Sequence, residues 1–138
     1  HLERFTGRQR LRVATAPGDR RLIGETGLGK ALLLDEDPAS LTRLFYAAKP
    51  GATREQLGVW LDAMEAHAQR GVVLHDSEAG DGVRSVAAPI RDAKGNIAIA
   101  LSIAGASVYL TDQVIENLVV PVRNAAAEVS SVLGHVAR

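Results

Sequence analysis

The chain has 138 residues, 46% of them hydrophobic, and sixteen Lys and Arg balance sixteen Asp and Glu for a formal net charge of zero. This length and composition fit one compact domain that buries roughly two-thirds of its unfolded surface, which excludes a disordered chain or a disulfide-stapled mini-protein. The net charge of zero argues against a chain that binds DNA phosphates by itself.

The sequence has no cysteine, so disulfide and thiolate chemistry are excluded. Its apolar runs are broken by charge before they reach the length of a bilayer span. The first residues, HLERFTGRQRLR, have no hydrophobic core of a secretion signal. We therefore expect a cytoplasmic protein without membrane contact.

The first predicted element is a strand over Arg10–Ala16, in which Leu11 and Val13 alternate with a partly polar face. It ends at the turn Pro17-Gly18-Asp19. Leu2–Phe5 is its candidate hairpin partner.

A short helix is then predicted, capped by Thr26 and running through Leu34. Gly27 and Gly29 lie in its first turn, which indicates that another part of the molecule approaches the backbone closely there.

Two longer helices follow. Asp37 before Pro38 forms a cap and first-position pair, and Thr53 with Gln56 forms a capping box. Gly71 closes the second of these helices. The apolar residues of that helix recur at helical spacing: Leu57, Trp60, Leu61, Met64 and Ala68.

A strand over Gly71–His75 leads into the polar loop Asp76–Gly82 and then into a hairpin whose turn is Asp92–Asn96. The hairpin has one bulky and one small face, because large and small side chains alternate. If the bulky faces of the two strands lie on the same side, Ser85 pairs with Ser102. This pairing requires that the turn sets an odd register between the strands. The two sets in the second strand are Ile97, Ile99, Leu101 and Ile103, and Ala98, Ala100, Ser102 and Ala104.

The last predicted element is a long helix from the cap Thr111 through Leu133, with Pro121 inside it. A proline there predicts either a kink or two abutting helices. Strands and helices mix without regular βαβ alternation, which favours an α+β fold whose antiparallel-dominated central sheet is flanked by helices.

Three segments carry a family resemblance: RQRLRVATAPGDRRLIGETGLGKALL, GVRSVAAPIRDAKGNIAIALSIAGA and LTDQVIENLVVPVRNAAAEVSSVLG. Together they resemble the effector-binding domain of IclR-type bacterial transcriptional regulators. The resemblance implies a GAF-like or profilin-like fold, with residues 1–138 forming a single effector-binding domain. It also implies an N-terminal winged helix-turn-helix DNA-binding domain that is absent from this chain.

The resemblance further implies an effector site between the glycine-rich helix start and the small face of the hairpin. By position, its residues are Gly27, Leu28, His75, Val83, Ser85, Ser102 and Ala104. Family members commonly have an acidic residue at the position of His75 and often a cysteine at that of Ser85. Members that bind small oxo-acids have serine at the position of Ala104, so we do not transfer those ligands to this chain.

Catalysis would need a nucleophile beside a base, or clustered metal ligands. The four histidines are scattered without ligand spacing, so no catalytic residue, metal or cofactor is predicted. His67 is expected to be structural, as an imidazolium near the end of its helix. Two alternatives stay open: a small hydrolase or isomerase of an organic acid that uses His75 and Ser85, and a GAF-like sensor of a signalling protein.

The leading hypothesis is a sensing domain, not an enzyme, that binds an organic acid or aromatic catabolite. The effector is expected to be anionic, favoured by protonated His75, by the helix-start amides and by Arg20 or Arg21. A homodimer or homotetramer is implied by the resemblance, with operator DNA bound only through the absent domain.

Overall fold

The computed structural model describes residues 1–11, 13, 15–77 and 80–137. A 3₁₀ turn at Ile23–Glu25 precedes the regular elements. In chain order these are α1 (Gly27–Leu32), α2 (Pro38–Ala48), α3 (Arg54–Arg70), β1 (Val73–Asp76), β2 (Val83–Arg91), β3 (Ile97–Ala106) and α4 (Asp112–Val132).

The three strands form an antiparallel sheet in the order β1-β2-β3. The predicted match of bulky faces is confirmed, since Val86 lies opposite Ile103 and Ile90 opposite Ile99. The direct pairing of the two serines is wrong. Ser85 lies opposite Ala104 and Ser102 lies opposite Ala87, so the serines share a face as diagonal neighbours.

The turn of the hairpin explains this register. Asp92 Oδ1 accepts hydrogen bonds from the amides of Lys94 and Asn96, and Gly95 takes a positive φ of 86°. The register then shifts between Ile90 and Arg91, so β3 carries one extra residue beside the turn.

The bulky face of the sheet packs against α4. Val86, Ala88 and Ile90 of β2 are at most 3% exposed. They form one hydrophobic core with Val72 and Leu110 and with the inner side of α4, which contributes Ile115, Val119, Val122 and Ala126. The opposite, small face of the sheet is left for α1.

Helix α4 begins at its predicted cap, where Thr111 Oγ1 accepts a hydrogen bond from the Val114 amide. It continues through Pro121 as one helix, so two abutting helices are ruled out and a bend at Pro121 stays a prediction. Pro121 has no amide hydrogen, so the carbonyl of Asn117, four residues earlier, has no donor within the helix. Both residues are exposed, so water can hydrogen-bond to that carbonyl.

The capping predictions for α2 and α3 are confirmed. Asp37 accepts a hydrogen bond from the Ser40 amide, Thr53 and Gln56 form the capping box, and Gly71 ends α3 with a positive φ of 76°. These helices enclose a second core, made of Leu33, Leu41, Phe45, Trp60 and Met64.

The strand predicted over Arg10–Ala16 is not seen among the described residues of that stretch, and residues 12 and 14 lie outside them. Leu2 and Phe5 are not in a strand either, and they are 80% and 93% exposed. In the predicted strand, Leu11 is 59% exposed and Val13 is half-buried, so burial matches the apolar alternation only in part. Residues 78 and 79 of the predicted Asp76–Gly82 loop also lie outside the described part.

The α+β prediction, with an antiparallel sheet and a long C-terminal helix, is confirmed. Within the described ranges, no helix has the length and apolar character needed to cross a bilayer.

The contact of Ser130 with Arg91, where the register of β2 and β3 shifts, gives a prediction about stability. Ser130 is 4% exposed, and its Oγ accepts the Arg91 amide at 2.9 Å while donating to the Ala126 carbonyl at 2.7 Å. Ser130→Ala leaves that amide without its acceptor, so we expect a loss of about 1–3 kcal/mol in the free energy of unfolding, measured by urea denaturation. The neighbouring, exposed Ser131→Ala is the control, and equal effects of the two changes would contradict this role.

Candidate functional site

A cavity of about 450 Å³ lies between the start of α1 and the small face of the β2–β3 hairpin. This volume falls in the range of roughly 300–1,000 Å³ that small-molecule sites occupy. All seven residues selected from the sequence line it: Gly27, Leu28, His75, Val83, Ser85, Ser102 and Ala104. The structure therefore brings the predicted residues together, while their role in binding stays a prediction.

The two serines supply hydroxyl groups to this wall. Ser85 is 5% exposed, yet neither its side chain nor that of Ser102 hydrogen-bonds to another residue in the described part of the chain. No fully buried side-chain polar atom lacks a partner among the described residues, so the Ser85 hydroxyl must reach the cavity. Both hydroxyls are available to a bound molecule.

The glycines of α1 allow the helix to lie directly on the sheet. A Cβ atom on Gly27 would stand 2.4 Å from Ser85 Oγ and 3.2 Å from His75 Cβ. One on Gly29 would stand 1.9 Å from the carbonyl oxygen of Ile23. The predicted close approach at both positions is confirmed, and Thr26 caps the helix by accepting the Gly29 amide at 3.0 Å.

His75, at the end of β1, is buried and contacts a residue that the sequence did not single out. Its Nδ1 lies 3.3 Å from Nζ of Lys30, and each residue is 8% exposed. The donor and the acceptor of this contact depend on the tautomer of the His75 ring. The expected protonated state of His75 stays a prediction.

His67 also differs from its expected state. Burial, and next the positive charge of Lys30, lower its pKa to about 4. The residue is therefore neutral near pH 7, and the expected imidazolium at the end of α3 is wrong. Desolvation outweighs the helix dipole at this position.

Charged residues of both signs stand around the cavity. Arg21 and Lys49 line it, and so do Glu25 and Asp81. The backbone amide of Val83 donates to Asp81 and lowers the pKa of that carboxyl, which stays ionised. Of the two arginines proposed from the sequence, Arg21 lines the cavity, whereas Arg20 is not among its described lining residues.

A smaller cavity of about 150 Å³ lies beside α4, and Arg84 is part of its lining. Arg84 is already engaged with Asp76, with Asp112 at 2.8 Å and with the Leu110 carbonyl at 2.7 Å. These contacts join the sheet to the start of α4. Among the described residues, no three His, Asp or Glu side chains are grouped as metal ligands.

The chain thus combines an antiparallel sheet, a long terminal helix and a cavity on the small face of the sheet. A solved transcriptional regulator of the IclR family superposes with a TM-score of 0.88 at 19% identity, over 99% of this chain and 80% of that one. The expected GAF-like fold is thus confirmed.

The family model described as "Bacterial transcriptional regulator IclR C-terminal" matches residues 1–131, and the chain belongs to this family. It is 28% identical over 124 residues to the HTH-type transcriptional regulator BhcR of Paracoccus denitrificans, covering 87% of this chain and 44% of BhcR. The repressor BlcR of Agobacterium tumefaciens is 26% identical with a TM-score of 0.76, over 89% of this chain and 51% of BlcR. The chain thus spans about half the length of these two relatives.

The contact of Gly27 with Ser85 can be tested by a double-mutant cycle. Gly27→Ala places a methyl group against Ser85 Oγ, and we expect a loss of about 1–3 kcal/mol in the free energy of unfolding because the site is overpacked. Ser85→Ala in the same chain removes the nearest atom and should recover part of this loss. Additive effects of the two substitutions would show that the contact is not the cause.

The low pKa of His67 predicts a pH dependence of stability. Between about pH 6.5 and 4 the unfolded chain takes up a proton at this residue that the folded chain does not bind. This residue therefore lowers stability as the pH falls through that window. His67→Gln should flatten the dependence, as measured by urea denaturation at several pH values, and an unchanged profile would refute the assignment.

Proposed function

We propose that the chain is the effector-sensing domain of a DNA-binding transcriptional regulator, and that its effector is a small organic acid or aromatic catabolite. The observation that carries this proposal is the cavity on the small face, lined by all seven residues that were chosen from the sequence. Membership of the IclR family supports it.

The groups at the cavity suit an anionic molecule with further polar atoms. Arg21 and Lys49 supply positive charge at a cavity that Glu25 and Asp81 also line. The hydroxyls of Ser85 and Ser102 can donate to a carboxylate or accept from a hydroxyl. The amides of Gly27 and Leu28 have no partner further back in α1, since they are the first two of the helix. A carboxylate fits this set of donors better than a neutral apolar molecule does.

The regulatory step is proposed to be a shift between two arrangements of the assembled protein. An effector that binds one arrangement more tightly raises its population. A homodimer or homotetramer would match a two-fold operator, with DNA contacted by an N-terminal winged helix-turn-helix domain outside this chain. The zero net charge of the chain agrees with DNA binding that resides elsewhere.

The site suits binding better than turnover. A hydrolase that uses His75 as the base for Ser85 would need a carboxylate or carbonyl to stabilise the imidazolium that forms. Nδ1 of His75 instead faces the Lys30 ammonium, which opposes a second positive charge. We therefore propose that the domain is not an enzyme.

A sensor of cyclic nucleotides is also a weaker candidate. Among the described lining residues there is no Phe, Tyr or Trp on which a purine could stack. The sequence has no cysteine to which a chromophore could be linked by a thioether bond.

Isothermal titration calorimetry with benzoate, 3-hydroxybenzoate, succinate and their neutral amides tests the proposal. We expect at least one carboxylate to bind, with its amide clearly weaker. Ser102→Ala should weaken the binding of that carboxylate by roughly 10- to 150-fold, since one hydrogen bond to a charged group is worth roughly 1.5–3 kcal/mol.

Ser131→Ala, on the outer side of α4, is the matched control and should leave affinity unchanged. Tighter binding of the amides than of the acids, or indifference to Ser102→Ala, would contradict an anionic effector in this cavity. Conversion of the bound compound during the titration would favour the enzyme.

A further inference from the structure

The zero net charge of the chain hides an uneven distribution of charge. The first 21 residues, which we call the basic segment, contain six of the sixteen basic residues and two of the sixteen acidic ones, Glu3 and Asp19. The segment therefore has a formal charge of +4, and the remaining 117 residues have a charge of −4. All six basic residues are arginines: Arg4, Arg8, Arg10, Arg12, Arg20 and Arg21. Such a cluster near one end of a chain is typical of an arm that binds a polyanion.

Backbone hydrogen bonds hold the two ends of the basic segment together. The amino group of His1 donates to the Asp19 carbonyl at 3.0 Å, and the Gly18 amide donates to the His1 carbonyl at 2.9 Å. The described residues between these ends lie outside helices and strands. Arg4 and Arg20, which stand close to these contacts in the sequence, therefore belong to the same region of the surface.

The arginines of the basic segment differ from most others in the chain by lacking partners. In the described part of the molecule, no ion pair or side-chain hydrogen bond engages four exposed guanidinium groups, those of Arg4, Arg8, Arg10 and Arg20. By contrast, Arg70, Arg84 and Arg91 each pair with a carboxylate. Four positive groups of the segment are thus available to a partner.

The two carboxylates of the segment contact backbone amides and not these guanidinium groups. Glu3 accepts the Arg4 amide at 2.8 Å, and Asp19 Oδ2 accepts the Ala16 amide at 2.8 Å. The positive charge of the segment is therefore not held in internal ion pairs among the described residues.

We propose that the basic segment binds the phosphate backbone of duplex DNA and adds sequence-independent contacts to those of the regulator's DNA-binding domain. The planar guanidinium group matches a phosphate with two parallel hydrogen bonds, which a lysine ammonium cannot supply. Contacts of this kind add affinity and fix position, whereas contacts to bases specify sequence. The inference rests on the proposed function, in which the DNA-binding domain precedes this segment.

DNA suits the segment better than an anionic membrane does. Leu2 and Phe5 are 80% and 93% exposed, and apolar side chains beside arginines are also found at lipid surfaces. Binding at such a surface commonly uses an amphipathic helix that gathers the apolar residues on one side. The described residues of the basic segment form no helix, so the charge is the property that they offer.

Fluorescence anisotropy with a short labelled duplex of arbitrary sequence tests the inference on this chain without any effector. We expect binding at about 20 mM salt that weakens steadily toward about 200 mM. Each phosphate contact should contribute about −0.9 to the slope of the logarithm of the association constant against the logarithm of the salt concentration.

A triple variant removes three of the free charges: Arg4→Gln, Arg8→Gln and Arg10→Gln. It should make the salt slope less steep by about 2.7 and weaken binding at low salt. Because these side chains are exposed and unpaired, the midpoint of urea denaturation should not change. Arg21 is kept, since it lines the cavity.

A matched control removes the same charge from exposed arginines on α2, α3 and α4: Arg43→Gln, Arg54→Gln and Arg123→Gln. Its salt slope should equal that of the unmodified chain. Equal effects of the two triple variants would show that total charge, and not the basic segment, governs binding, and would overturn the inference.

Absence of duplex binding at the lowest salt concentration would also overturn it. So would binding to phosphatidylglycerol vesicles without binding to the duplex, because the segment would then belong to a membrane surface. Since no effector is present, failure here leaves the calorimetric test of the proposed function intact. Equally, a cavity that binds no carboxylate would refute the proposed effector and not the DNA contact.

Discussion

The structure depends on the close approach of α1 to the sheet, which two glycines permit. With no side chain at Gly27, the first turn of the helix can rest on Ser85 and His75, and with none at Gly29 it can pass the Ile23 carbonyl. This contact sets one rim of the cavity and brings Lys30 behind His75. A larger residue at Gly27 would push the helix away from the strands, and one at Gly29 would push it away from the turn that contains Ile23.

The hairpin divides the molecule into a packed side and a side that borders the cavity. Its bulky face joins α4 in the main core, and its small face borders the cavity. Both properties follow from one alternation of large and small side chains, because neighbouring residues of a strand point to opposite faces. The same strands thus supply stability on one side and space for a molecule on the other.

Local signals in the sequence predicted the helices and their caps, because a cap depends on residues within one turn. Thr26, Asp37, Thr53 and Thr111 all cap the helices expected of them. The composition of the cavity wall was also predictable, since it follows from strand periodicity and from the resemblance.

Features set by distant contacts were not predictable. The partner of Ser85 depends on a bulge beside the turn, which no local pattern marks. The burial of Lys30 and the neutral state of His67 arise from packing between elements far apart in the chain. Nor does alternation in the N-terminal stretch guarantee a strand: Leu11 is 59% exposed, whereas Val13 is half-buried and lines the cavity.

The central strand β2 is held from both sides: Ser85 and Ala87 lie under α1 and the cavity, while Val86 and Ala88 lie under α4, and all four are at most 5% exposed. A strand packed this tightly cannot shift toward one layer without moving the other. A molecule in the cavity that displaces β2 must therefore also change the contacts of this strand with α4. If a molecule in the cavity and a partner bound to α4 favour the same placement of β2, each raises the affinity for the other by the same factor.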